Sequence, residues 1–312
     1  MSVARAFWAV APGIGELREE TLGDEGVTVR TLASGISRGT EAIVFAGRVP
    51  PNQYAAMRAP LMAGTFPFPV KYGYSAVGAT EDGRRVFVLH PHQDRFRAPA
   101  AMCIKVPDAV PTLRAVLAAN METALNICWD AAPLAGERAM VVGAGVVGLL
   151  AAALLARVPG VRVSVVDPEP ARVVPAGRLG CTFAAPELAP RDQELIVHAS
   201  GTEAGLRLAL DRAAFEGRIV EASWFADRTP ALPLGEAFHS RRLRIVSSQV
   251  GSIAPSMRGR RTHAERLALA LDLLADPVFD ALLEAPTDFA DLPRAMPRLL
   301  AGGLCHVVRY DP

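Results

Sequence analysis

The sequence predicts an α/β fold in which a small, mostly β domain precedes a doubly wound parallel sheet with helices on both faces. Three features carry that expectation. Short runs of β-branched or alternating residues, bounded by Gly, Pro or Asp, fill roughly the first 115 positions. Strand and helix patterns then alternate from Ala139 to Ser247, as a parallel sheet requires. Within that region, Ala139-Met-Val-Val-Gly143-Ala-Gly145-Val-Val-Gly148 and the Ala/Leu-rich run after it read as a buried strand, a glycine turn and a helix in succession.

In chain order, candidate strands at Ser2–Val10, Val27–Ser34, Ala76–Glu81, Arg85–Leu89 and Met102–Val106 build a barrel-like first domain over residues 1–115. Between the second and third lies the insert Arg38–Lys71, rich in Pro, Gly and Met; its length predicts a binding or lid segment. Pro107 and Pro111 break the pattern, and Leu113–Trp129 reads as a helix entering a second domain over residues 116–253. There, strands at Ala139–Val142, Val161–Val166, Cys181–Ala184, Glu194–Ala199, Arg218–Ala222 and Leu243–Ser247 alternate with helices at Val146–Arg157, Ala171–Leu179 and Glu203–Ala214. Six such strands predict the order 3-2-1-4-5-6. The tail, residues 254–312, carries a helix at Ala264–Ala275, the segment Phe289–Gly302 and a last strand Cys305–Tyr310. It is expected to return to the first domain, with the active site in the cleft between the two.

The glycine turn has the spacing of a dinucleotide-binding site. Gly143 permits the tight turn, Gly145 lets backbone approach a pyrophosphate, and Gly148 lets the helix pack closely on the strand. The helix start at Val146 and Val147 offers N–H groups and the positive end of its dipole to phosphate. The next strand ends at Asp167, 19 residues after Gly148, where an acid accepts hydrogen bonds from the adenosine ribose and repels a 2′-phosphate. NAD(H) is therefore expected in preference to NADP(H). Arg172 is placed either to flank the adenine or to accommodate a 2′-phosphate, and Ser200 and Gly201, after the fourth strand, to line the crevice at the carboxyl edge of the sheet. The competing reading is a tight turn with no cofactor.

Composition narrows the partners. A formal charge of +1 gives no electrostatic reason to expect nucleic acid or an anionic membrane. Cys103, Cys128, Cys181 and Cys305 are widely spaced and form no C-x-x-C pair, so reduced thiols are expected. No cleavable leader pattern and no run of 18 uncharged apolar residues appears in this sequence, so a cytoplasmic protein is expected. An unpaired sixth strand would expose a sheet edge, and pairing it across a two-fold axis predicts a homodimer.

A β-rich first domain, a nucleotide-binding second domain and a returning tail resemble the medium-chain dehydrogenase/reductase superfamily, the alcohol dehydrogenase-like enzymes with a GroES-like β-barrel and a Rossmann domain. The segments that carry the likeness are Ser34-Gly-Ile-Ser-Arg-Gly-Thr-Glu41, Tyr72-Gly-Tyr-Ser-Ala-Val-Gly78, Met121-Glu-Thr-Ala-Leu125, the glycine turn with Asp167, and His198-Ala-Ser-Gly-Thr202. In zinc members, the places matching Ser37, Tyr74 and Ser75 hold cysteine, histidine and glutamate, with Glu122 matching a possible third ligand. Hydroxyls and phenols are poor zinc ligands, so the resemblance implies a dismantled zinc site. The Ser-Gly-Ile-Ser-x-Gly-Thr-Glu form is similar to the zinc-less or zinc-uncertain branch that includes the bacteriochlorophyllide dehydrogenase of pigment synthesis.

Hydride transfer to a carbonyl without zinc needs side chains that polarise the oxygen and supply a proton. Tyr74 is the first candidate, against the alternative of a packed tyrosine with a satisfied hydroxyl. Ser37 is the second, against a turn-forming serine. His90 and His92 form a polar cluster after an apolar strand; a proton relay, a rebuilt metal site with Glu122 and a surface loop remain open for them. By the resemblance, Thr123 approaches the nicotinamide end; Glu122 is either an orienting carboxylate or a helix charge paired to an arginine. Lys71, one of two lysines in the chain, is either a carboxylate-binding residue or an exposed loop lysine. Three functions stay open: an NAD(H)-dependent oxidoreductase without zinc acting on a small hydroxyl or carbonyl compound, or an activated alkene; an NAD(H)-binding sensor that does not turn over; and a zinc dehydrogenase with a His/Glu site.

Overall fold

A computed structural model describes residues 3–311. The chain forms two compact units, one comprising residues up to Ala119 together with those from Leu267 onward, the other spanning Asn120–Arg266. The tail thus leaves the second unit later than position 254. Its first part is held there by Ala254, whose N–H donates to Asn126 Oδ1 (3.1 Å), and by the buried Arg266.

In the first unit, a seven-stranded sheet runs Thr287–Asp288, His306–Arg309, Val27–Ile36, Ala76–Thr80, Arg85–Val88, Ile104–Lys105, with Arg95–Ala98 also paired to Val27–Ile36. A four-stranded sheet runs Ile14–Thr21, Val3–Ala11, Val70–Lys71, Ala63–Gly64. The strand expected from Ser2 is described from Val3; Ser2 itself lies outside the described residues. Alternation places Val29, Ala76, Val86, Val88, Phe96 and Ala98 in one cluster, each at most 1% exposed. Burying side chains of the Val and Phe type contributes about 1.5–3 kcal/mol each. Ile14–Thr21 was not legible as a strand because its charged side chains lack apolar alternation; antiparallel pairing with Val3–Ala11 supplies what the pattern does not.

The insert at Arg38–Lys71 is not a plain loop. It opens with a helix, Arg38–Phe45, that turns Glu41, Val44 and Phe45 inward, and the Ser37 N–H donates to Glu41 Oε1 (2.7 Å) at the helix start. The helix expected over Leu113–Trp129 is two, Thr112–Ala115 and Ala118–Ala131. Ser75 Oγ donates to the Val116 carbonyl at the break, a tertiary bond that a helical pattern cannot announce.

The second unit is a six-stranded parallel sheet. Its strands lie in the order Thr182–Ala184, Arg162–Val166, Arg138–Val142, Gln193–His198, Ala213–Glu221, Arg244–Ser247, which is 3-2-1-4-5-6 in chain order. Ala139 to Val142 are buried because both faces of a parallel sheet are covered. Helices at Val146–Leu155, Val173–Arg178 and Glu203–Arg212 connect the strands, and Thr202 Oγ1 caps the last by accepting the Gly205 N–H (3.1 Å). The edge strand Arg244–Ser247 is exposed along its length. Among the described residues, no helix is long and apolar enough to cross a membrane.

Candidate active-site elements

The glycine turn has the geometry its three roles require. Gly143 sits at φ +108°, and a Cβ there would lie 2.6 Å from the Ser200 backbone nitrogen. A Cβ on Gly148 would lie 2.0 Å from the Gly143 carbonyl oxygen, so the helix and the turn share space that only glycine leaves free. Gly145 differs: at φ −72° and ψ 176° it is the N-cap of Val146–Leu155, and a Cβ there would meet no atom within 4 Å. Open space in front of Gly145, beside the start of a helix, is where a diphosphate would approach the backbone. Asp167 stands beside the turn. Its Oδ2 accepts the Ala144 N–H (2.7 Å) and its Oδ1 the Glu169 N–H (2.9 Å). Arg172 is half-buried at the end of a 3-10 turn, Pro170–Arg172. These residues fit a dinucleotide.

Ser200 and Gly201 follow the strand Gln193–His198, and the Ser200 backbone flanks Gly143. Ser200 Oγ bonds His198 Nε2 (2.7 Å) and Thr202 Oγ1 (2.9 Å), and the Gly201 N–H donates to Ser223 Oγ (3.0 Å). His198 is fully buried, with Nδ1 2.7 Å from Glu221 Oε2. Glu221 thus orients an imidazole that orients a serine, an arrangement the sequence did not announce because 23 residues separate the acid from the histidine.

In the first unit, Tyr74 shares hydrogen bonds with the side chains of Ser37 and Thr40, so the two positions that match zinc ligands in the resemblance face one another. Burial, then the neighbouring Glu41 carboxylate, push the Tyr74 phenol up to about 12 against the lowering effect of those bonds. Tyr74 therefore keeps its proton at neutral pH. Tyr72 packs edge-on against it with ring centroids 5.9 Å apart.

The two histidines of the polar cluster part company. His90 is stacked on Phe96 (3.7 Å between centroids, 9° between planes), with Nδ1 2.9 Å from the Pro91 carbonyl oxygen. Burial holds its pKa down to about 3, so it stays neutral and is poorly suited to relay protons near pH 7. His92 is bound at both nitrogens, Nε2 to Glu41 Oε2 (2.9 Å) and Nδ1 to Ser34 Oγ (2.7 Å). Neither is a surface-loop residue: they are 5% and 1% exposed.

Glu122 lies in the second unit, where Oε1 accepts from Arg266 Nε (3.0 Å); both side chains are buried. Thr123, its neighbour, is half-buried on the same helix. Lys71 is not an exposed loop lysine: it is 7% exposed and donates to Glu20 Oε2 (2.5 Å) and Gln93 Oε1 (2.9 Å). Among the described residues, no group of three or more His, Cys, Asp or Glu is arranged to hold a metal ion. Sequence reasoning singled out His92 but not its partners Glu41 and Ser34, nor Tyr310, which bonds Ser34. Ser34 and Glu41 left a trace only as the two ends of the Ser34–Glu41 segment.

No protein-family model matches the chain. A zinc-type alcohol dehydrogenase-like protein of Haemophilus influenzae is 28% identical over 150 residues, 44% of this chain and 44% of that protein, so the match spans less than half the length of that relative. Among solved structures, the L-idonate 5-dehydrogenase of Escherichia coli K-12 superposes with a TM-score of 0.81 at 13% identity, covering 99% of this chain and 98% of the other. An alcohol dehydrogenase of E. coli CFT073, complexed with NADH, superposes with a TM-score of 0.79 at 17% identity, covering 99% and 100%. At such identities the structural likeness establishes the fold, a GroES-like domain with a Rossmann sheet. The resemblance to the alcohol dehydrogenase-like superfamily is carried by both fold and partial sequence.

Proposed function

We propose that this chain, with the fold of the medium-chain dehydrogenases and reductases, is an NAD(H)-dependent oxidoreductase that interconverts a hydroxyl and a carbonyl on a small molecule without catalytic zinc. The observation that supports it most is the glycine turn: open backbone at Gly145, closed packing at Gly143 and Gly148, and Asp167 fixed beside them. Gly145, Val146 and Val147 would hold the diphosphate, and Asp167 the adenosine ribose. The acid in that place favours NAD(H) over NADP(H).

When bound, the nicotinamide supplies or accepts the hydride. The remaining chemistry falls to side chains of this protein. Tyr74 donates a hydrogen bond to the carbonyl oxygen and passes its proton to the developing alkoxide, and Ser37, its hydrogen-bond partner, supports the same oxygen. Ser37 and Tyr74, two oxygen donors bonded to each other, are a poor donor set for zinc. A homodimer through the exposed edge Arg244–Ser247 belongs to the same proposal, and sedimentation at working concentration tests it.

The test of the function is to follow NADH absorbance while the protein meets a panel of aldehydes, ketones and quinones. Oxidation that depends on protein and on one class of acceptor supports the reading. Saturable NADH binding with no oxidation by any member would favour a cofactor-binding protein that does not turn over.

A further inference from the structure

A buried row of hydrogen bonds crosses the first unit. Tyr310 OH lies 2.8 Å from Ser34 Oγ, Ser34 Oγ lies 2.7 Å from His92 Nδ1, and His92 Nε2 lies 2.9 Å from Glu41 Oε2. Exposure is 6% at Tyr310, nil at Ser34, 1% at His92 and 3% at Glu41. The Gln93 backbone N–H also meets the Tyr310 oxygen, and either hydroxyl of the Tyr310–Ser34 pair can be the donor. With Tyr310 as the donor to Ser34, Ser34 gives its own hydrogen to His92 Nδ1, and the ring hydrogen sits on Nε2, facing Glu41. In that arrangement all three donors point toward Glu41. Gly73 leaves the ring its room, because a Cβ there would lie 3.3 Å from His92 Nε2.

The row has two distinct ends. Outside, Tyr310 borders a polar recess of about 240 Å³ lined also by Arg5, Arg30, Asp94, Arg95 and Asp311. Inside, Glu41 accepts the Ser37 N–H and stands close enough to Tyr74 to raise its phenol, next to the Ser37, Thr40 and Tyr74 hydroxyls. A network that only cemented the fold would have no need to run from a residue lining that recess to an acid beside the candidate proton donor.

We propose that Tyr310, Ser34, His92 and Glu41 form a proton conduit from the polar recess to the Ser37–Thr40–Tyr74 cluster, which resupplies the proton consumed when a carbonyl is reduced. The proposal rests on the oxidoreductase reading above for its purpose but not for its existence. In one inward transfer the Nε2 proton of His92 passes to the Glu41 carboxylate, the Ser34 proton to Nδ1, and the Tyr310 proton to Ser34; Tyr310 regains one from water in the recess. One proton has entered, Glu41 is now an acid, and no electrons have moved. Glu41 then gives that proton to the hydroxyl cluster, where Tyr74 has surrendered its own to the substrate oxygen. Reversing the same moves serves alcohol oxidation. Glu41, His92, Ser34 and Tyr310 are positioning and supply residues; Tyr74 is the group that meets substrate.

Protein labelled with ¹⁵N-histidine tests the conduit without any substrate, through exchange of the His92 Nε2 hydrogen with solvent. If protons travel the row, Tyr310→Phe and Ser34→Ala slow that exchange by at least about tenfold, a modest part of what positioned proton transfer contributes. If the row is a static brace, exchange needs local opening, and both variants leave it unchanged or make it faster, which overturns the proposal. The sign of the effect decides even if the variants are less stable. In turnover with NADH, the same variants lower kcat by a similar factor, leave KM unchanged and enlarge the solvent deuterium isotope effect. Slowed exchange in a protein that reduces no carbonyl sinks the oxidoreductase reading and leaves the conduit; unchanged exchange in an active enzyme does the reverse.

Discussion

Replacing Gly145 with alanine separates the cofactor role of the glycine turn from its structural role. A methyl group at Gly145 meets no protein atom within 4 Å, and φ of −72° suits any residue. Two small terms oppose each other in stability. Alanine restricts the unfolded chain and adds about 0.4–1 kcal/mol. It is also a poorer helix N-cap than glycine, which removes roughly 0.5–1 kcal/mol. The variant should therefore unfold within a few degrees of the parent. The methyl group stands in the open space at the helix start, so a diphosphate cannot approach the backbone as closely, and NADH affinity falls at least about tenfold, or about 1.4 kcal/mol. Gly148→Ala is the control with the opposite signature. Its Cβ, 2.0 Å from the Gly143 carbonyl oxygen, forces helix and turn apart, so stability and binding fall together. Thermal unfolding paired with NADH fluorescence titration reads both quantities. A Gly145→Ala protein that binds NADH as tightly as the parent would refute the placement of the diphosphate.

Other consequences follow from individual contacts. On the proposed NAD(H) preference, Asp167→Ala removes the acid that would repel a 2′-phosphate, so the ratio of NADPH to NADH affinity rises by about tenfold or more; an unchanged ratio contradicts the assignment. His90 is held neutral by burial, with a pKa near 3 against 6.5 unfolded, so its contribution is complete above pH 6.5 and is lost as pH falls from there toward 3. The loss approaches about 4–5 kcal/mol at 1.36 kcal/mol per unit. His90→Phe should shrink the difference in unfolding free energy between neutral and mildly acidic buffer, and denaturant curves at the two pH values would show an equal drop if burial of this ring were irrelevant. Arg266→Met leaves the Glu122 carboxylate buried without its partner, at a cost of about 3–5 kcal/mol. Urea unfolding measures that cost, and a change under about 1 kcal/mol would mean the pair is dispensable.

What the sequence disclosed was what lies close along the chain. Gly143, Gly145 and Gly148 fall within one turn, and Asp167 ends the very next strand, so spacing alone brings them together. The strand order was legible because six strands alternating with helices fit the doubly wound arrangement. The conduit was not legible: His92 lies 58 residues from Ser34 and 51 from Glu41, and Ser34 lies 276 from Tyr310. Only antiparallel pairing of Val27–Ile36 with His306–Arg309 brings the last two near one another. Arg38–Phe45 was hidden for a different reason. Its apolar residues are too few for a helical period to stand out from the Pro, Gly and Met around them, and Phe45 declares its place only by packing on Phe7.

The most direct test of the central claim is a titration of the purified parent protein with NADH, read by nicotinamide fluorescence and repeated with Gly145→Ala. Saturable binding at one site per chain, weakened by the added methyl group, is the predicted result. A parent protein that leaves the fluorescence unchanged up to millimolar NADH would contradict the dinucleotide site and the oxidoreductase built on it.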